Sequence, residues 1–277
     1  MTNPLAHEQV VRDEACSLSS VRRVASMLDL DSIDLTTGGA LPRGWQFLLL
    51  GADTKRSALR TDGFPGLGVP MPDIGLPRLM IGGRSVEFVR DIAIGSEVQR
   101  TSGVQSVVRK ENAAGSMAVV TVRHELRTPD SIDPALVETQ TYMLMPARSE
   151  PITSMDVVTL PLPAADHQKT VVPDETLLFQ YSALGFNSHK IHLNREYARE
   201  AEGFPDLVVN GGLSTLLLTE FLRRELDAIP TSLKVRYSAP LFCDRPVTLI
   251  ADQTGSGWRL KALDEHNRVA IEMEVTQ

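Results

Sequence analysis

Two of the six histidines of this 277-residue chain, His189 and His192, stand three residues apart, and Asn210-Gly211-Gly212 follows a short way downstream at the head of a strongly apolar run. Imidazole is the side chain that exchanges protons near neutral pH. A glycine-led helix start presents bare N–H groups that favour developing negative charge. Residues 181–218 therefore hold both halves of an acid–base site. The same residues have plainer readings. The two imidazoles can be a structural pair that hydrogen-bonds a turn, and the two glycines can serve close helix–sheet packing. A metal reading of H-x-x-H lacks a third histidine or a cysteine nearby, and a metal site needs three or four ligands, so no metal is expected.

The elements that must position this stretch come in two similar sets. Ser19-Ser20 can cap a short helix reaching Leu28, with Val21, Val24, Ala25 and Leu28 on one face. Residues 29–77 dissolve into glycine and proline turns around one apolar run, Trp45 to Leu50, and read as a binding or lid segment. Alternating or β-branched runs at 85–90, 98–110, 117–126 and 137–145 predict an antiparallel sheet, with a turn at 112–115. In the second half, 177–182 is a short apolar run, Asn194 can cap a helix that Gly203 ends, and 211–226 is a longer helix. That helix carries no charge over 213–219, which predicts an all-round buried first half. Four more strand-like runs follow at 233–238, 247–252, 258–263 and 269–275. Helical material followed by a sheet, twice, predicts an α+β chain of two units: 1–150, a proline-rich linker at 151–174, and 175–277.

A net charge of −7 and a pI near 5.4 argue against a nucleic-acid partner, which needs a basic face. Cys16 and Cys243 have neither disulfide-framework nor zinc-type spacing and read as packing residues. The first thirty residues contain no apolar run of signal-peptide length, and no stretch approaches the roughly 20 apolar residues of a membrane helix. The expectation is a cytoplasmic protein without a membrane partner.

The segment HLNREYA from His192 to Ala198 resembles the signature of MaoC-like enoyl-CoA hydratases and dehydratases, with the signature histidine on His192, its aspartate on Asn187 and its asparagine on His189. The longer run YSALGFNSHKIHLNREYAREAEGFPDLVVNGGL is similar to the branch holding mesaconyl- and itaconyl-CoA hydratases and mitochondrial 3-hydroxyacyl-thioester dehydratases, and LPRLMIGGRSVEF (76–88) fits that branch in the first half. The resemblance implies a double hotdog, each unit an antiparallel sheet wrapped around a central helix, with the N-terminal helix degraded to the segment Trp45 to Leu50. It implies a hydro-lyase acting on an enoyl-CoA or 3-hydroxyacyl-CoA, with a short branched or dicarboxylic acyl group and no cofactor beyond the CoA thioester itself.

On that resemblance His192 is the principal base, and the N–H of Gly211 or Gly212 binds the thioester oxygen. The N-terminal unit accommodates acyl chain or pantetheine, and Tyr181 joins the substrate-binding group. Two positions depart from the pattern. Asn187 replaces the aspartate, and an amide cannot act as a general base, so His189 is the candidate for the second proton carrier and Asn187 for orienting water. Asn210 stands where the branch has histidine. Arg78 and Arg84 can be solvated charges, or can receive CoA phosphate or a substrate carboxylate. A hotdog thioesterase and a non-catalytic acyl-CoA-binding hotdog are the alternatives. A homo-oligomer is expected because hotdog units pair edge to edge, although two units in one chain can satisfy that internally.

Overall fold

The computed structural model describes residues 8–31, 35–71, 74–112, 115–147 and 158–277. It opens on a strand with no clear sequence signal, β1 (Gln9–Ala15), which pairs antiparallel with β3. Helix α1 (Leu18–Met27) follows and buries Val21, Val24 and Ala25. Its cap is Ser17 rather than Ser19-Ser20, because Ser17 is the extended residue at the boundary and its Oγ accepts from Ser20 N at 3.2 Å. The four expected strands of the first half are β2 (Arg78–Phe88), β3 (Glu97–Asn112), β4 (Gly115–Arg127) and β5 (Leu136–Met145). The turn between β3 and β4 lies partly outside the described residues.

In the linker expected at 151–174, residues up to 157 lie outside the described ones, and His167–Val171 forms strand β6, which pairs with β8. The C-terminal half of the sheet therefore begins inside the proline-rich stretch, whose prolines flank the strand instead of occupying it. Residues 177–182 belong to helix α2 (Glu175–Leu184), started by Asp174, whose Oδ1 accepts from Leu177 N at 2.7 Å. Asn194 caps α3 (Arg195–Glu200) through Tyr197 N at 2.8 Å, and Gly203 follows at φ +68°. Helix α4 (Gly211–Glu225) precedes β7 (Ser232–Tyr237), β8 (Val247–Thr254), β9 (Gly257–Leu263) and β10 (Val269–Thr276).

The strand order β1-β3-β4-β5-β2-β7-β10-β9-β8-β6 splits at the β2–β7 pair into an N-terminal and a C-terminal half. There Gly83 faces Arg236 and Glu87 faces Ser232, so the edge-to-edge pairing of two units occurs within one chain. Helix α4 lies on the C-terminal half against β9, with Leu213, Leu216, Leu218 and Leu222 fully buried. The corresponding N-terminal element is a short 3-10 turn, Gln46–Leu49. Trp45 just before it is fully buried, and its Nε1 donates to Glu220 Oε1 of α4 at 2.7 Å, so the reduced element of one unit is tied to the full helix of the other. This is the α+β double hotdog, with one helix degraded. No helix among the described residues is long and apolar enough to cross a membrane.

Candidate functional site

The turn carrying the two histidines is folded by its own amide. Asn187 Oδ1 accepts from His189 N at 3.1 Å, and a 3-10 turn, Lys190–His192, follows. An extended strap holds it from behind: Val208 N donates to Ile191 O at 2.9 Å, and Val209 N to Leu241 O at 2.8 Å. His192 Nδ1 lies 2.7 Å from Val208 O. A carbonyl only accepts, so this contact assigns the ring proton to Nδ1 and leaves the lone pair on Nε2. The two imidazoles sit edge to face, ring centroids 5.5 Å apart. Burial and the neighbouring His189 lower the His192 pKa to about 3, against the opposing bond to Val208; burial lowers that of His189 to about 4, with Asp62 raising it and Arg60 lowering it. Both rings are neutral at pH 7, the state a base requires. Among the described residues no three His, Cys, Asp or Glu side chains are grouped to hold a metal ion.

The strap ends at Asn210, the N-cap of α4. Asparagine in this position normally accepts from the second or third helical N–H. Here its side chain makes no capping bond; Nδ2 donates instead to Ser182 Oγ of α2 at 3.3 Å, and Oδ1 is buried with no partner. The first intrahelical bond is Ser214 N to Asn210 O, so the N–H groups of Gly211 and Gly212 keep no acceptor among the described residues. Both glycines are also packing necessities. A Cβ on Gly212 would run into the Tyr181 hydroxyl, and one on Gly211 would lie 2.9 Å from Ile81 Cγ2. The packing and anion-binding readings of this pair are thus compatible. Tyr181 is stacked on Phe47 at 4.6 Å between centroids, which fixes its phenol beside the helix start.

His189, His192, Asn187, Asn210, Gly211, Gly212, Tyr181 and Arg84 all line one cleft of about 280 Å³. Arg78 does not; its Nε pairs with Glu202 Oε2 at 3.3 Å outside the lining. The reason is strand alternation across the Ile81/Gly83 irregularity of β2, which turns Arg84 inward. Arg84 Nε lies 3.3 Å from Glu138 Oε1, near enough to pair as charges but without a hydrogen bond. Burial opposes its charge, yet Glu138 and the phenols of Tyr237, Tyr181 and Tyr142 hold its pKa above the usual value, so the guanidinium stays charged.

Two groups were not singled out in the sequence. The first is a buried polar strip of the N-terminal half: Glu138 accepts from Gln46 Nε2 at 2.9 Å and Gln140 Nε2 at 2.5 Å, and Ser102 Oγ meets His124 Nδ1 at 2.8 Å. Its signal was available, since the alternation that buries Leu136 and Leu144 on β5 buries Glu138 and Gln140 too. The second is Asp62, whose Oδ2 lies 3.7 Å from His189 Nε2. It sits among the turns at 29–77, where no periodicity points to a single residue.

Comparison with known proteins places this geometry. The chain is 30% identical over 271 residues to the mesaconyl-C(4)-CoA hydratase of Chloroflexus aurantiacus, covering 98% of this chain and 95% of that one. It is 24% identical to the mitochondrial hydroxyacyl-thioester dehydratase type 2 of Schizosaccharomyces pombe, over 84% of this chain and 89% of that one. A MaoC-like dehydratase from Phytophthora capsici shares the fold with a TM-score of 0.71 at 16% identity, over 99% and 96% of the two chains. The family model for hydroxyacyl-thioester dehydratase type 2 matches residues 44–243, which runs from the degraded N-terminal helix through the histidine turn and α4. That match covers most of the chain, the histidine turn and the start of α4 included, and the chain belongs to the hydroxyacyl-thioester dehydratase type 2 family.

Proposed function

We propose that the chain adds water across the C2=C3 bond of an enoyl-CoA, and dehydrates the corresponding 3-hydroxyacyl-CoA, in the cleft between the histidine turn and the start of α4. The observation that carries this is the sharing of one cleft by the His192 Nε2 lone pair and the free N–H groups of Gly211 and Gly212. Water held at Nε2 loses a proton to it as its oxygen bonds C3. The C2=C3 electron pair moves toward the thioester oxygen, and the helix-start amides receive that charge. The enolate then collapses, C2 takes a proton from the imidazole pair, and the site returns to its starting state. Asn210 Oδ1, a buried acceptor without a partner, is suited to hold a hydrogen of the water or of the 3-hydroxyl. Nothing is oxidised or reduced, so the proposed step calls for no redox cofactor.

The charged Arg84 among the phenols of Tyr142, Tyr181 and Tyr237 supports an acyl group that ends in a carboxylate, as in the substrate for which the Chloroflexus relative is named. The free, buried Cys16 and Cys243 support a reducing compartment such as the cytoplasm.

The test is incubation with crotonyl-, mesaconyl- and itaconyl-CoA, following enoyl absorbance and free thiol together. Loss of enoyl signal without thiol is expected, faster for the two carboxylate-ended thioesters. Thiol release would make the chain a thioesterase, and binding without either signal would make it a non-catalytic acyl-CoA-binding hotdog. Crotonyl-CoA turning over as well as the other two would remove the role given to Arg84.

A further inference from the structure

His192 lies deep in the cleft with its protonated form disfavoured, and Asn187 stands where the resemblance led one to expect an acid. Any proton taken from water therefore places positive charge on imidazoles that have no carboxylate on their own unit's turn. A carboxylate reaches them from the other unit.

Residues 61–63, in the irregular stretch of the N-terminal half, are docked onto the histidine turn by bonds to their backbone carbonyls. Lys190 N donates to Asp62 O at 2.8 Å, Ser188 Oγ to Gly63 O at 2.6 Å, and Lys190 Nζ to Thr61 O at 2.7 Å. Gly63 makes the approach possible: it lies at φ +77°, and a Cβ there would strike the Ser188 carbonyl oxygen. The Asp62 side chain is fixed as well, Oδ1 accepting from Phe64 N at 2.9 Å and Oδ2 from Arg60 Nε at 3.2 Å. That fixed Oδ2 is the atom 3.7 Å from His189 Nε2, with the two side chains only 13% and 11% exposed. Phe64 from the same segment lies against the His189 ring at 5.3 Å between centroids. The ring is thus in contact with Phe64, Asp62 and His192.

We propose that Asp62 of the N-terminal unit is the counter-ion and positioning residue of the histidine pair, doing from across the unit boundary what Asn187 cannot do from within the turn. The inference rests on the hydratase reading above. Asp62 faces Nε2 of His189, which favours a proton on that nitrogen and leaves Nδ1 as the lone pair, and it stabilises the imidazolium while the proton waits to pass to C2. The separation of 3.7 Å in the resting site is longer than a hydrogen bond, and catalytic contacts of this kind shorten once substrate charge develops. The other charged groups near His189 are Arg60 on the docked segment and Lys190, whose ammonium lies over the Tyr197 ring at 5.3 Å. Asp62 is the carboxylate among the charges that act on His189, so its replacement removes the attraction that favours the protonated ring.

The experiment compares D62N, D62E and S188A with the wild type in the enoyl-CoA assay. D62N keeps an acceptor for Phe64 N and the three clamps on the backbone carbonyls of 61–63, and removes the charge together with the Oδ2 acceptor that Arg60 Nε uses. It is expected to lower kcat by about 10- to 100-fold with KM within about threefold, and D62E is expected to recover part of that loss. S188A loosens the clamp while sparing the carboxylate, and is expected to keep kcat within a few-fold. The proposal is overturned if D62N retains wild-type kcat, if its loss lies in KM alone, or if S188A loses as much as D62N, since the segment would then matter only for docking. A wild type that turns over no enoyl thioester would sink the hydratase reading itself, whereas a working wild type matched by D62N would sink the counter-ion alone.

Discussion

His192 is defined less by its ionisation than by a single contact, the 2.7 Å approach of Nδ1 to Val208 O. That contact assigns the tautomer and leaves the Nε2 lone pair free on a ring that lines the cleft. His192→Ala is expected to lower kcat by roughly 100- to 10,000-fold, the range for loss of an acid–base group. Steady-state kinetics beside a circular dichroism spectrum check it, and near-normal turnover by a folded variant would remove His192 from the chemistry. Asn210 shows the same economy. As an N-cap it could have closed the start of α4, but its amide is drawn to Ser182, which leaves both the helix amides and its own Oδ1 open toward the cleft.

Helix α4 is held in that position by what the glycines permit. Tyr181 of α2 lies directly on Gly212, and Ile81 of β2 and Tyr237 of β7 lie on Gly211, so three elements from both units converge on one helix turn. Gly212→Ala is expected to destabilise the protein by about 1–3 kcal/mol through overpacking. In combination with Tyr181→Phe, which removes the clashing oxygen, the loss is expected to shrink by about 1 kcal/mol relative to the sum of the single variants. Urea denaturation of the four proteins measures the coupling, and strict additivity would mean that the helix simply slides away from α2. At the other end, Trp45 of the degraded N-terminal element bonds Glu220, which Arg223 Nε also engages at 3.0 Å. The full helix of one unit is thereby anchored to the remnant of the other.

For the whole molecule, three buried histidines dominate the response to acid. Burial lowers His192 to about 3 and His189 and His124 to about 4, from an ordinary 6.5. A folded-state pKa below the unfolded one means that the unfolded chain binds protons first. Stability is therefore complete above about pH 6.5 and is lost as pH falls toward 4, by about 2 kcal/mol per histidine at pH 5. The melting temperature is expected to drop by about 5–10 °C between pH 7 and pH 5, and His124→Asn is expected to flatten that drop. Thermal melts across the range test it; a flat profile would show that the rings are not held neutral. The joined sheet adds a second global property. Because β2 and β7 pair the units inside one chain, Asp62 can be delivered to His189 by a neighbour that is always present.

Much of this was legible in the residues. Period-two runs marked eight of the ten strands, the uncharged run at 213–219 marked the buried helix, and the motif around His192 led to the fold and to most of the cleft. Those signals are local: a strand's alternation and a helix's apolar face are written in consecutive residues. Three features were not local. Which arginine enters the cleft depends on an irregularity of β2 that turns Arg84 inward and leaves Arg78 with Glu202. Whether Asn210 caps its helix depends on Ser182, 28 residues away in α2. The carboxylate beside His189 comes from the turns of the first unit, where no periodicity marks Asp62, and only the packing of one unit against the other brings it there. The chain's own pattern determined the sheet, the helix and the histidines; their charge environment was decided by contacts between segments far apart in sequence, which no run of neighbouring residues can encode.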